Sequence, residues 1–295
     1  MEQRKFRWQS KTILLLVLPA VAANAVLEAH WWATQVPAVP IWTLGLSVLL
    51  GLIAWWMRSA TAGAAFTGAA INASMMFSTA TVPYYPWRTA LIPIAVLLLI
   101  TSLATRMGRK RKEQLGTAEH SRGRAAAQVA ANLGSAALLS SAVAQTYLFR
   151  QSGIHFANLV PAAIFVPALA ALAEAAADTV SSELGQLLSG TPRMITTFRV
   201  VDPGTDGAIS LGGTAAGILA AATVAAAGML ALGGDGLVFA VSWIGGCFGL
   251  FFDSLLGATL ERRGWLNNDS VNFLSTLSAA AFTLLLLVAL GAAHS

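Results

Sequence analysis

Charge is scarce in this chain. Only 11% of its 295 residues are Asp, Glu, Lys or Arg, while 56% are hydrophobic; a soluble domain carries roughly 25% charged residues. So few charges cannot cover a water-facing surface, which excludes a soluble enzyme and a disordered linker, and makes lipid the solvent for most of the chain. Cysteine is almost missing. Cys247 stands alone, so there is no internal disulfide framework and no thiolate zinc site. His30, His120, His155 and His294 are scattered without ligand spacing. Neither G-x-x-x-x-G-K-[ST] nor G-x-G-x-x-G occurs, so the common soluble nucleotide fingerprints are absent. No internal repeat or low-complexity linker is present either. The net charge of +5 invites a nucleic-acid partner, but the basic residues have a simpler use in orienting a membrane protein, and no nucleic acid is expected.

What is present is a series of apolar stretches, each near the ~20 residues of a transmembrane helix. They lie at 12–29, 40–57, 61–79, 88–105, 125–148, 159–180, 211–233, 236–257 and 271–292. The first resembles a signal peptide, with Ala23-Asn24-Ala25 as a cleavage lookalike, but reads as a retained span. The expected fold is all-α, a polytopic membrane helix bundle of about nine spans. With the N-terminus cytoplasmic and the C-terminus outside, every lysine and arginine except Arg88 and Arg150 falls on the inner face. That places a multi-pass protein in the cell inner (plasma) membrane with its polar chemistry facing the cytoplasm. Residues 1–57 are two plain apolar spans and read as accessory helices; residues 58–295 hold everything chemically unusual.

Ionisable residues within spans are costly and mark functional sites. Glu174 and Asp178 lie one helical turn apart on one face, in a dense polar run that ends in Glu183. Position 183 is turned away from 178 on an ideal helix, so the helix breaks near Ser181 or Glu183 serves a different partner. Gly245, Gly249, Asp253 and Gly257 recur at intervals of four, a stripe that admits close helix approach and sets one carboxylate within it. A lone Asp253 needs a metal ion, an arginine or a protonated hydrogen bond. Asn268, Asn272 and Thr276 share a face of the last span; Arg124, Gln128, Asn132 and Ser135 form a similar edge on the fifth. Interhelical hydrogen bonding explains either edge alone, and two at the same end are expected to line one cavity.

Two loops carry phosphate-binding chemistry. The loop from Thr191 to Thr214 contains Arg193, Arg199, the turn signals Pro203-Gly204 and Asp206-Gly207, and Ser210 just before a helix start. Its β-branched flanks form a short hairpin or an extended loop. A helix start beside two arginines suits the phosphates of a nucleotide, with Arg193, Arg199 and the turn of Gly204, Thr205, Asp206 and Ser210 as the binding residues. The cluster from Arg106 to Lys112 is a topology anchor or contacts anionic lipid, and Lys110 or Lys112 helps on the phosphates.

Six segments together resemble a known family. They are Arg106-x-Gly108-x-x-Arg111-Lys112, Arg122-Gly-Arg-x-x-x-Gln128-Val-x-Ala-Asn132, Ala177-Asp178-Thr-x-Ser-Ser-Glu183-Leu-Gly185, the run from Pro192-Arg193 to Ser210, Asp253-Ser-x-Leu-Gly257 and Asn268-Asp269-x-Val-Asn272-Phe. The family is the integral-membrane domain of unknown function 92, which includes the plant phytyl-phosphate kinase and animal transmembrane protein 19. Coverage runs from about residue 60 to the C-terminus.

The resemblance implies phosphorylation of an isoprenoid monophosphate to the diphosphate, with CTP or another nucleoside triphosphate as donor. The residues agree: phosphoryl transfer needs cations on the phosphoryl group and acidic ligands for Mg²⁺ (or Mn²⁺). Asp178, Glu183 and Asp253 are the expected metal ligands, and Asn268 and Asn272 are expected to hydrogen-bond nucleotide or acceptor. The partners are then the isoprenoid phosphate, the nucleotide and membrane lipids, and a homodimer is left open. The tail is expected to enter from the inner leaflet beside the small-residue spans at 61–79 and 211–233. Two alternatives use similar parts: a cytidylyltransferase making a CDP-linked lipid, and a lipid or small-molecule transporter.

Overall fold

The computed structural model describes residues 7–115, 123–151, 161–188 and 190–292. Arg4, Lys5, Gly116, His120, Arg122, His155 and His294 lie outside the described residues. The chain is helical nearly throughout. In order come α1 (Arg7–Gln35), α2 (Ala38–Trp56), α3 (Ala62–Ser78), α4 (Leu91–Arg106), the short α5 (Arg109–Leu115), α6 (Ala126–Ser140), α7 (Ala142–Gln151), α8 (Val166–Gly185), α9 (Leu211–Leu232), α10 (Gly236–Leu256) and α11 (Asn268–Ala292). A two-residue hairpin, β1 (Arg193–Met194) against β2 (Ala208–Ile209), bridges α8 and α9.

Local sequence sets the boundaries. Thr61, Ser210 and Asp235 each cap a helix by accepting from backbone N–H groups of its first turn. Gly233, at φ 69°, closes α9 in the left-handed conformation that glycine adopts without a Cβ penalty.

Among the described residues, six helices are long and apolar enough to cross a membrane, or up to seven if the pair α6 and α7, bent by 60° at Ser141, forms one span. By that measure fewer than the nine expected stretches qualify as full spans. Every apolar stretch is helical, but α3 has 17 residues and α4 has 16. At 1.5 Å per residue they reach about 25 Å, short of the ~30 Å hydrocarbon core.

The centre of the bundle is α8, packed against α4, α6, α9, α10 and α11. Its run of alanines lets these neighbours approach closely. Gly217 of α9 faces the Ala177 carbonyl at a distance that leaves no room for a methyl group, and Gly246 of α10 does the same against Ala173. The glycine stripe of α10 therefore does what its spacing suggests.

One end of the bundle collects the polar connections. The Met57 carbonyl accepts from Arg106, and Ser59 and Thr61 pair with the Arg124 backbone. Lys112 reaches Glu183, Gly207 packs on Ala258, and Gln9 and Ser10 bond Trp265 and Asn267. The basic ends of the helices are thus assembled together, as their charge pattern implies.

Candidate active site

At that end lies a polar cavity of about 420 Å³. Three elements build it: the last turns of α8, the C-terminal end of α10 and the 203–210 turn, with Asn268 at the start of α11 completing the wall. α8 supplies Asp178, Ser181 and Ser182; α10 supplies Asp253 and Ser254. Asp178 and Asp253 line the same cavity from α8 and α10. Asp178 Oδ1 accepts from Ser182 Oγ at 3.4 Å. Behind them Glu174 is fully buried. Glu174 Oε1 and Asp253 Oδ2 are buried without a hydrogen-bond partner. A buried acceptor in that state demands a cation or a donor.

A further carboxylate enters through an irregularity. α10 runs into a π-helical turn at Gly257–Glu261, closed by Arg262 N–H donating to the Gly257 carbonyl at 3.2 Å. On a regular α-helix Glu261 would point about 80° away from Asp253. The wider turn takes back much of that rotation, and both side chains line the cavity. Gly257 and Gly207 are in backbone contact here, since a Cβ on Gly257 would lie 2.8 Å from the Gly207 nitrogen. Two glycines thereby dock the turn onto α10 and carry Asp206 to Glu261. Desolvation at the cavity mouth raises the Asp206 carboxyl above the usual carboxylate range, while the Arg262 guanidinium pulls it the other way. Arg124 supplies the corresponding positive field at Asp178.

The expected site residues divide accordingly. Asp178, Asp253, Gly204, Thr205, Asp206, Ser210 and Asn268 all line this cavity. Ser210 is also the α9 cap, its Oγ accepting from Gly213 N–H at 3.1 Å. The other expected residues do not line it. Glu183 turns to the opposite side of α8, where its Oε2 accepts from Lys112 Nζ at 2.6 Å. Lys112, only 1% exposed, also donates to the Ala104 carbonyl at 2.8 Å and so ties α5 to the C-terminal end of α4. Glu183 and Lys112, expected on a metal and on phosphate, here answer each other's charge away from the cavity. Lys110 is exposed on α5. Arg193 and Arg199 are exposed on the hairpin, with Arg193 Nη1 donating to the Phe198 carbonyl at 2.8 Å. Asn272 is buried and donates to Asn132 Oδ1 at 2.8 Å, and Thr276 bonds Ser135 at 3.0 Å. The two polar edges zip α6 to α11 instead of lining one cavity together.

Glu261, Arg262 and Ser254 are the residues that sequence reasoning missed. Only the π-helical turn joins Glu261 to Asp253, and no residue spacing announces it. Among the described residues, no group of three or more His, Cys, Asp or Glu side chains converges to hold a metal ion. The Asp178 and Asp253 pair nevertheless fits Mg²⁺, which takes one or two carboxylates and completes its shell with phosphates and water.

Fold and cavity together define a polytopic helical membrane protein with a carboxylate-lined pocket at one end of its bundle. The chain belongs to the integral membrane protein family DUF92, which it matches over residues 45–280. It is 29% identical over 287 residues to an uncharacterised membrane protein of Synechocystis, covering 95% of this chain and 91% of that one. An uncharacterised membrane protein of Methanocaldococcus jannaschii is 48% identical over 109 residues, 37% of this chain and 45% of its own length. The chloroplastic protein VTE6 of Arabidopsis thaliana is 29% identical over 185 residues, 62% of this chain and 54% of its own. The chain thus spans about half the length of the archaeal and plant relatives. No solved structure matches it.

Proposed function

We propose that this protein is a membrane-embedded phosphotransferase that converts an isoprenoid monophosphate to the diphosphate, with CTP or another nucleoside triphosphate as donor. The observation that carries the reading is that Asp178 and Asp253, on two different helices, line one polar cavity of about 420 Å³. Membership of a family that resembles plant phytyl-phosphate kinase supplies the substrate class. Asp178 and Asp253 would hold Mg²⁺, which would supply neutralisation of the charge that builds during transfer.

The remaining work falls to side chains and backbone. The Gly204–Ser210 turn, Ser181 and Ser254 offer donors to the triphosphate, and Asn268 closes the wall beside it. Arg262 and Arg124 set positive charge at opposite sides of the carboxylates. In the transfer, an oxygen of the acceptor phosphate forms a bond to the γ-phosphorus. The bond from that phosphorus to the β,γ-bridging oxygen breaks, and the nucleoside diphosphate leaves with the electron pair. The acceptor oxygen is already anionic near neutral pH, so no general base is required of Asp178 or Asp253. On this reading the cavity faces the cytoplasm, where nucleotides are available, in the inner (plasma) membrane.

The test is incubation of purified protein with labelled nucleotides, Mg²⁺ and isoprenyl monophosphates, followed by product identification. An isoprenyl diphosphate is the expected product. A nucleotide-containing lipid would convert the assignment to a cytidylyltransferase. Absence of either product with every donor would overturn it and favour a transporter.

A further inference from the structure

A second, quite different recess lies on the other side of α8, among α2, α3, α4 and α6. It is a narrow slot of about 70 Å³ with almost entirely apolar walls, and Arg124 stands at its polar end. Resting on the phosphotransferase reading, we infer that this slot seats the first isoprene unit of the acceptor's chain, the rest of the tail lying in lipid, with Arg124 holding the phosphate beside Asp178.

Three observations support it. First, the slot and the catalytic cavity meet α8 at adjacent positions. Ala175 lines the slot and Asp178 lines the cavity; three residues apart on α8, they are neighbours on its surface. Second, charge is arranged for an amphiphile with an anionic head. Arg124 lines the slot and also acts electrostatically on Asp178, so a phosphate there would sit between the apolar slot and the reacting centre. Third, two of the slot's lining residues, Leu98 and Gly68, are partly exposed at the bundle surface. A chain could enter there from the bilayer without passing through water.

The slot also decides between two small-residue helices. On α9 the small side chains are used up in packing: a Cβ on Gly217 would meet the Ala177 carbonyl at 2.8 Å, and one on Gly228 would meet Leu169 at 2.4 Å. On α3, a Cβ on Gly68 meets only Val129 Cγ1 at 3.8 Å. Space remains beside α3 and not beside α9.

That free space makes the test clean. Purified protein is photolabelled with a C20 isoprenyl monophosphate bearing a diazirine on the first isoprene unit, and the labelled peptides are mapped. Label within 62–78 or 126–140 is expected; label confined to 211–232 overturns the assignment. Gly68→Leu adds bulk to the slot wall, where a Cβ meets only Val129 Cγ1 at 3.8 Å, and should weaken binding of the C20 phosphate at least tenfold more than that of methyl phosphate. Equal effects on both would also overturn it. Arg124→Gln should weaken both phosphates about tenfold and leave the C20 alcohol unaffected, with Arg124→Lys restoring most of the loss. Should Gly68→Leu fail to fold, the labelling map on the unaltered protein still decides. Binding without turnover would defeat the phosphotransferase reading and leave the slot assignment standing; turnover with label on α9 would do the reverse.

Discussion

Helices α2 and α8 are both apolar and long enough to span a bilayer, yet they have opposite fates. In its most apolar window α2 is 28% buried, and it turns Ile41, Trp42, Leu52, Trp55 and Trp56 outward. The corresponding window ending in α8 is 83% buried. Hydropathy alone cannot separate them, because lipid and a protein interior are about equally apolar. Side-chain size can. α2 presents bulky tryptophan and leucine outward, whereas α8 carries seven alanines in its 20 residues and five helices close around it. The chemistry sits on the helix whose neighbours, rather than whose hydrophobicity, exclude the membrane.

The largest effect expected from this contrast is catalytic. Asp178→Asn and Asp253→Asn should each lower phosphotransfer by about a thousandfold or more with melting temperature little changed, since Mg²⁺ positioning and charge neutralisation supply most of such a reaction. EDTA should abolish native turnover. Full activity in either variant or in EDTA would remove the carboxylate pair from the chemistry. Next comes the buried ion pair: Lys112→Met leaves Glu183 uncompensated and should cost about 3–5 kcal/mol, seen as a large drop in melting temperature. The double variant Lys112→Met with Glu183→Gln should recover much of it.

Smaller effects compare the two helices directly. Gly249 of α10 faces α8, where an added Cβ would lie 2.4 Å from Glu174 Cγ and 2.9 Å from Ala279 Cβ. Gly249→Ala should therefore destabilise by about 1–3 kcal/mol. Gly45 on α2 has nothing within 4 Å of such a Cβ, so Gly45→Ala should be neutral within about 0.5 kcal/mol or slightly stabilising. If the two glycines responded alike, packing around α8 would not be what distinguishes it. Smallest of all, Arg193→Ala and Arg199→Ala should change nucleotide KM by no more than about threefold, because exposed charges on the hairpin act through solvent.

The sequence made the bundle legible through its apolar stretches and part of the cavity lining legible through intramembrane acids, because lipid makes each of those features conspicuous. Asp178, Asp253, the 204–210 turn and the glycine stripe of α10 were all readable on that basis. The place of Glu183 was not legible, because a carboxylate in a motif carries no sign of which side of a helix it serves; its partner Lys112 lies 71 residues away. Glu261 was hidden by the π-helical turn, which changes the facing of side chains without changing their spacing. Asn272 was misread for a subtler reason: a polar edge that welds two helices has the same composition as one that lines a cavity. The expected count of spans exceeds that of full-length helices, since α3 and α4 are apolar but short.

The clamp between α1 and the start of α11 bears on how the protein is made. Gln9 Nε2 donates to the Trp265 carbonyl at 2.9 Å and Gln9 Oε1 accepts from Asn267 N–H at 2.9 Å, a separation of 258 residues along the chain. At about 5–20 residues per second of synthesis, the first helix waits roughly 13 to 50 s before its partner exists. Through that interval Gln9 has only water and headgroups to bond. Closure of the polar end is therefore a late event, set by the emergence of α11 from the ribosome. A chain released before residue 264 should leave a cysteine placed at position 9 open to water-soluble thiol reagents, and the full-length chain should protect it.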